Sequence, residues 1–560
     1  MSRGAALRWG LLGAAVLVTG ALVVGAFNPA PHSGGDNSTY VSLAHAIVST
    51  GSYTEVFDPA GLPHSKYPPV FPLLLAASIA LGARTWVAMK SVAVIATLAA
   101  VAFTYLWVER RVGSWAALAV AVLYGASAAV VYYSHWALSD PVFVAFTVAA
   151  FWAWEGGRDE GSSRPRWIGA AVVLAGLAYF TRSAGLPLVV ALLACLVLER
   201  RWRSVGSAAL ALGIPAALWW LRGRDAPASY AAEFWLVDPY QPTLGTIGVL
   251  DLIPRALANL EGYVTRHLPR GVIGPSAGGA ALLGVAMVVA TLWGWVRVSR
   301  QRIGLPEVFL PLYFGLILLW PIVWSGDRFA LPLYPLVFLY GAVAMLDVVH
   351  RAPRVVAAPV LALALVLLLL PAGGSWLRAR QESRACARIV EVEGPFACYG
   401  PGVAAFVEAA RWSAESLPDG AAVMTRKPSH FYVLSGVPSR TFPFDPTPDA
   451  QLAAADELGA RYILIDEWDV LARQHVGGAV IERPGAFCFV RAFGRPGTGG
   501  AQLIGILPAE QRSDRRPAAD EQVRIEMCPE SYADAAPGYS SPSSSSSSSR
   551  AIPLLGALDP

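Results

Sequence analysis

The residues able to do chemistry in this chain stand at the ends of apolar stretches. Asp36 lies in GGDNSTY, just ahead of a run in which Tyr40, Leu43, Ala44, Ile47 and Val48 recur at helical spacing. Asp140 lies in Ser139-Asp140-Pro141, directly before another apolar run. Lys66 precedes Tyr67-Pro68-Pro69, Arg182 marks a junction between apolar stretches, and Arg328 stands in SGDRFALPLYPL. An Arg fork or a Lys point charge suits a phosphate, and apolar helices beside it suit a long hydrocarbon tail, so the three cations are candidates to hold a lipid phosphate. His64, Tyr67 and His135 lie nearby. Plainer readings compete. Asp36 and Asp140 both occupy positions where a carboxylate caps free N–H groups at the start of a helix. The basic side chains can snorkel, or pair as Asp327 would with Arg328, and the histidines can be ordinary loop residues.

What weights these residues toward function is where their elements put them. Of 560 residues, 55% are hydrophobic and only 15% charged, with a mean hydropathy of +0.48. A soluble chain carries about 25% charge, so the solvent for most of this one is lipid. The net charge of +4 is too small to argue for nucleic acid. Crossing a bilayer takes about 20 apolar residues. Eleven stretches approach this, near Trp9–Phe27, Trp86–Val108, Ser114–Tyr133, Pro141–Trp154, Trp167–Thr181, Ala184–Leu198, Val205–Leu221, Ile273–Val296, Pro306–Trp324, Phe329–Asp347 and Val355–Leu370. The first resembles a signal peptide but lacks a well-placed cleavage motif, and reads as a retained helix.

Arginines cluster on alternate connections: Arg3/Arg8, Arg110/Arg111, Arg158/Arg164/Arg166, Arg200/Arg201/Arg203, Arg297/Arg300/Arg302 and Arg351/Arg354. By the positive-inside trend all six face the cytoplasm, provided that the short Pro-led run Pro68–Leu81 is re-entrant or interfacial and does not cross. The remaining connections, 28–85, the turn at His135–Asp140, 222–272 and Ser325–Arg328, then lie outside with the C-terminal region. Both carboxylates and the three cations thus reach one membrane face by a parity argument that never used them. Acidic groups at a lipid boundary are costly enough to imply a role. The helix after Asp36 is expected to lie on the membrane surface.

Residues 1–374 therefore form a transmembrane module. From Ser375 to about 510, helix-like stretches (Val403–Leu417, Gln451–Leu458) alternate with strand-like ones (Ala421–Thr425, Arg461–Asp466, Phe487–Ala492), which predicts a small extracytoplasmic α/β domain. It has no nucleophile triad or phosphate loop, and either helps bind a substrate or is structural. The Pro/Ser-rich tail, 511–560, is expected to be disordered. Cys386 with Cys398, and Cys488 with Cys528, are candidate disulfides if the compartment is oxidising. No CxxC spacing suggests zinc.

The ordered series GGDxxxY, LAHAIVSTGSY, HSKYPPVFPLLLA, LWVERRVGSWAALAVAVLYG, HWALSDPVF, YFTRSAG and DRFALPLYPL resembles the GT-C glycosyltransferases, and more narrowly glycosyltransferase family 39, with its protein O-mannosyltransferases and lipid A aminoarabinose transferase. The match spans roughly residues 1–350 of 560. It implies an inverting enzyme in the cell membrane that moves a sugar, hexose or pentose, from a polyprenyl phosphate to a lipid, glycan or protein acceptor on the outer face. The family's first-loop Asp, near the acceptor hydroxyl, carries over to Asp36, and that of its second outer loop to Asp140. Where the family often has Asp-Glu, this chain has Asp36-Asn37; where the aminoarabinose enzyme has Glu-Lys-Pro, it has Lys66-Tyr67-Pro68, without the glutamate.

Attack at the anomeric carbon needs a base for the acceptor proton and positive charge for the departing phosphate. Asp36 suits the first; Lys66, Arg182 and Arg328 suit the second. An ordinary Asp is a weak base, so either burial raises its pKa or a divalent cation acidifies the hydroxyl. No further cofactor is expected. The alternatives are a lipid-linked glycan ligase or polymerase, which shares the donor, and a transporter, which would want ionisable groups or paired broken helices at the midplane.

Overall fold

The computed structural model describes residues 3–532 except 35, 160–163, 225–229, 276–277, 352, 495–498 and 518–523; the seven serines at 543–549 lie outside them. Backbone groups in lipid must be satisfied within their own segment, which makes the apolar runs helices. The chain is a polytopic α-helical membrane protein with a small α/β domain at its C-terminal end. Among the described residues six helices are long and apolar enough to cross a membrane: Gly4–Gly25, Trp86–Val112, Trp202–Gly223, Ala280–Gln301, Asp327–Arg351 and Ala362–Glu393. Helices Ser114–Ala126, Asp140–Asp159, Arg164–Thr181, Leu186–Leu198 and Leu305–Leu319 fall on the other five expected stretches. The run after Pro69 is a helix of only 11 residues, Val70–Ala80, too short to cross.

Local chemistry sets the joints. A single residue, Gly113, separates helices Trp86–Val112 and Ser114–Ala126, and its φ of 87° is one that a side chain would resist. The stretch expected as one helix over 114–133 breaks instead at Ser127, which turns extended while its hydroxyl bonds the Leu123 carbonyl. The arginine-bearing connections are tied together at one end of the bundle. Arg111 pairs with Glu155 and Glu307, Arg302 with Glu155, Arg8 with Glu109, and Arg158, Arg164 and Arg201 with Glu199. Asp140 begins the helix that ends near Glu155, so it sits about 20 Å away, at the opposite end.

Helix Asp36–Thr50 does not lie free on a membrane surface. Asn37, Ser38, Tyr40–Ala44 and Ala46 are buried on several of its sides, against helix Val70–Ala80 and against helix Pro428–Ser435 of the C-terminal domain. The expected boundary at Ser375 also moves, because one helix runs unbroken from Arg354 to Glu393. Beyond it stands a five-stranded sheet of β1 (Val423–Met424), β2 (Ser439–Arg440), β3 (Tyr462–Asp466), β4 (Phe487–Gly494) and β5 (Gly500–Ile506) in the order β2-β1-β3-β5-β4. β2, β1 and β3 are parallel, and β5 runs antiparallel to β3 and β4. β3 is apolar up to its last residue, Asp466, because both its faces are covered: Tyr462 and Leu464 pack with Phe406 and Phe431, Ile463 with Met424, Phe442 and Ile504.

Part of the expected tail is structure. Phe489 N–H donates to the Glu526 carbonyl, Cys528 N–H to that of Phe489, and Tyr532 is buried with its hydroxyl on the Ile506 carbonyl. Both proposed disulfides are present, Cys386–Cys398 and Cys488–Cys528, and Cys195 is buried and free.

Candidate active site

Four short segments meet at the end of the bundle opposite the arginine network. They are the start of helix Asp36–Thr50, the turn 64–68, the junction at Thr181–Ala184 and the Ser325–Phe329 turn. With residues 230–244 and the edge of the C-terminal sheet they enclose a cavity of about 900 Å³. Asp36, His64, Lys66, Tyr67, Arg182 and Arg328 all line it.

Arg328 organises the site. Its Nη1 donates to Asp36 Oδ2 and its Nε to Asp140 Oδ2, each at 2.7 Å, while its buried Nη2 has no hydrogen-bond partner among the described residues. Arg182 Nη1 reaches Asp140 Oδ1 at 2.7 Å and donates to Ser139 Oγ at 3.2 Å. The second oxygen of Asp36 accepts the Tyr67 hydroxyl at 3.0 Å. Asp36 and Asp140 are thus joined through one guanidinium, and neither reading of them as simple caps describes where their side chains go. They differ in exposure. Asp36 is a cavity wall, whereas Asp140, 4% exposed, stands behind the two arginines and orients them. Asp327 does not pair with Arg328, and instead accepts the Tyr133 hydroxyl at 3.1 Å.

The other expected residues take distinct places. Lys66 Nζ pairs with Glu233 at 2.7 Å and lies 5.2 Å from the Tyr230 ring and 5.6 Å from that of Trp324. His64 accepts Tyr67 N–H on Nε2, so Nδ1 is the nitrogen that donates to Glu55, 2.7 Å away; the ring holds the turn in shape. His135 is buried among Phe27 and Trp136, away from the cavity. Asn37 donates to the His32 and Gly34 carbonyls and shapes the turn ahead of Asp36.

Burial pushes the Asp36 carboxyl up, but the charge and hydrogen bond of Arg328 outweigh it and hold the group at about 2, below its ordinary 3.8. Of the two routes that the sequence leaves open, burial alone therefore does not make Asp36 the stronger base. The residues also do not fit a metal. Arg328 and Tyr67 occupy the oxygens of Asp36, two arginines those of Asp140, and no group of three His, Cys, Asp or Glu among the described residues could hold an ion.

Several wall residues escaped the sequence reading. Glu233 and Tyr230 sit in the long loop 222–272, where one acid among aromatics was the available signal. Arg426 and Lys427 come from the C-terminal domain, between a strand and a Pro-led helix. Tyr40 and Ser139 bond each other at 2.9 Å beneath the site.

Residues 66–221 match the family model described as dolichyl-phosphate-mannose-protein mannosyltransferase. No curated protein matches the chain. Among solved structures, the oligosaccharyltransferase of Archaeoglobus fulgidus in complex with Zn and sulfate aligns at a TM-score of 0.56 and 15% identity, over 88% of this chain and 72% of that one. ArnT from Cupriavidus metallidurans aligns in its apo state at 0.52 and 14%, over 89% and 98%. The same protein bound to undecaprenyl phosphate aligns at 0.51 and 14%, over 88% and 97%. Identities this low speak for fold, and the fold is that of the GT-C glycosyltransferases, as the ordered motifs imply.

Proposed function

We propose that the chain is an inverting glycosyltransferase that moves a sugar from a polyprenyl phosphate to a lipid, glycan or protein acceptor at the outer face of the membrane. The observation that carries this reading is Arg328, a cavity-lining cation whose Nε and Nη1 are spent on two carboxylates and whose buried Nη2 has no hydrogen-bond partner among the described residues. A phosphate oxygen at the cavity wall is the natural further acceptor for this guanidinium, with Arg182 and Lys66 as neighbouring charges. Undecaprenyl phosphate in ArnT and dolichol phosphate in the archaeal oligosaccharyltransferase support the donor class. The two disulfides support an oxidising, extracytoplasmic compartment for the C-terminal domain.

In the proposed reaction the acceptor oxygen bonds to the anomeric carbon from the face opposite the phosphate. The carbon–oxygen bond to phosphate breaks with its electron pair staying on phosphate, and the acceptor proton passes to Asp36. A carboxylate held near 2 is a poor base. Arg328 resolves this, because a bound phosphate competes for the same guanidinium and weakens its hold on Asp36. Donor binding thereby raises the basicity of the carboxylate when it is needed. Asp140 keeps Arg182 and Arg328 in place throughout.

The test is transfer from polyprenyl-phosphate sugars by the purified chain and by Asp36→Asn. Loss of about 10²- to 10⁴-fold in turnover, with folding and donor binding intact, is expected. Unchanged turnover removes Asp36 as the base.

A further inference from the structure

The cavity wall supplied by the C-terminal domain carries cations of its own. β1 runs through Thr425, Arg426 and Lys427 into helix Pro428–Ser435, and no side chain caps that helix. Its N-terminus lies at the carboxyl edge of three parallel strands, the edge at which open α/β sheets bind ligands. Arg426, Lys427, Ser429 and Thr441 from this edge all line the cavity.

Both cations are mostly buried, 15% and 11% exposed, and both are under-paired. They share one carboxylate, Asp469, at 3.1 Å from Arg426 Nε and 3.7 Å from Lys427 Nζ; the latter is beyond hydrogen-bond reach, and Arg426 Nε makes no hydrogen bond. Asp466, also near, pairs with neither among the described residues, and one of its oxygens accepts Trp468 N–H. The Arg426 guanidinium lies 5.4 Å from each of the Tyr240 and Phe444 rings, which fixes its plane and restricts its hydrogen bonds to the edge. Two buried like charges whose one direct ion-pair partner is Asp469, with Asp466 acting only at longer range, repel each other, and an anion between them relieves the repulsion.

We infer that Arg426, Lys427 and the start of helix Pro428–Ser435 form a second anion site, distinct from Arg182 and Arg328, which takes a phosphate or carboxylate group of the acceptor. The assignment to the acceptor rests on the proposed function. The donor's tail has to enter beside the membrane helices where Arg182 and Arg328 stand, and Asp36 bonds Arg328 while its charge also reaches Lys427, so the anion on the domain side belongs to the molecule whose hydroxyl Asp36 serves. The transferase would then prefer acceptors carrying an acidic group close to the glycosylated hydroxyl.

The test is calorimetric titration of the full-length chain in zwitterionic nanodiscs with inorganic phosphate, before and after saturation with undecaprenyl phosphate. The wild type is expected to bind phosphate in both states. The double variant Arg426→Gln/Lys427→Gln should lose phosphate affinity by at least about tenfold while its affinity for undecaprenyl phosphate moves less than about twofold. The charge-keeping exchange Arg426→Lys/Lys427→Arg guards against misfolding, and should bind phosphate within about threefold of wild type. Phosphate binding abolished by undecaprenyl phosphate, or unchanged in the double Gln variant, overturns the inference. Phosphate binding that needs Arg426 and Lys427 in a chain that ignores undecaprenyl phosphate sustains the anion site and sinks the donor reading instead.

Discussion

Arg328 makes the site a coupled unit, since one side chain sets the charge state of Asp36 and, with Arg182, the position of Asp140. Arg328→Gln therefore has an effect whose pH dependence can be stated in advance. The Asp36 carboxyl is depressed in the folded chain to about 2, so the stabilisation it supplies is complete above its ordinary 3.8 and fades as pH falls from there toward 2. Unfolding free energies of wild type and Arg328→Gln should differ most near neutral pH, by on the order of 2 kcal/mol, and draw together as pH falls toward 2. A gap constant across that range would mean that Arg328 acts by packing. At this scale the sequence was legible where charge meets the lipid boundary: Asp36, Lys66, Arg182 and Arg328 stand at the ends of apolar stretches and all line the cavity. Which acid meets the cavity and which stands behind the arginines is a matter of side-chain direction, which spacing alone does not encode. Glu233, Arg426 and Lys427 lay in polar segments where a charged residue carries no such signal.

The helices were readable because lipid forces apolar runs to bond within their own segment, and Val70–Ala80 as a short one because its apolar run is short. The C-terminal sheet was harder. β1 and β2 have two residues each, too few to show a period, and β5 contains Gly505, a weak strand former. That glycine has a packing cause: a Cβ there would sit 2.4 Å from Cys528 Sγ and 2.6 Å from Cys488 Sγ, so the disulfide lies directly on the strand. The covalent link in turn makes 524–532 part of the domain, against its tail-like composition. Replacing Cys488 and Cys528 with Ser opens a tie spanning 40 residues, and should cost about 2–4 kcal/mol of domain stability. Limited trypsinolysis checks this, because Arg524 should be cut readily in the variant and slowly in the oxidised wild type. Equal cleavage would show that Tyr532 and the Phe489–Glu526 pairing hold the segment unaided.

Across the whole molecule, the segment that carries Asp36 is gripped from two sides. From the membrane helices, Lys90 donates to the Asn28 carbonyl at 2.7 Å and to that of Ala30. From the C-terminal domain, Tyr399 donates to the Pro31 carbonyl, Trp468 to that of Ser33, and the Ser38 hydroxyl meets His430 Nδ1 at 2.7 Å. Burial, with the nearby Lys427 charge, holds the His430 ring down at about 3, so it serves this contact as a neutral imidazole. Farther along the same loop, Arg440 grips Asp58 with two bonds of 2.7 Å, beside Ser439 N–H on the Phe57 carbonyl. The domain is therefore a brace for the proposed base as well as a wall of the cavity. Arg440→Ala strands a nearly buried carboxylate at the interface, at a cost of roughly 1–3 kcal/mol given the partial exposure of the arginine. Neither residue of that pair touches Arg328 in the described contacts, so affinity for polyprenyl phosphate should stay within about twofold while turnover falls by about tenfold or more, as Asp36 loses its setting. Asp58→Asn should show the same split, and combining it with Arg440→Ala should add little, since both break one contact. Amide exchange through residues 30–45 should quicken in step with lost turnover; exchange that quickens while turnover holds would reduce the domain to a cover.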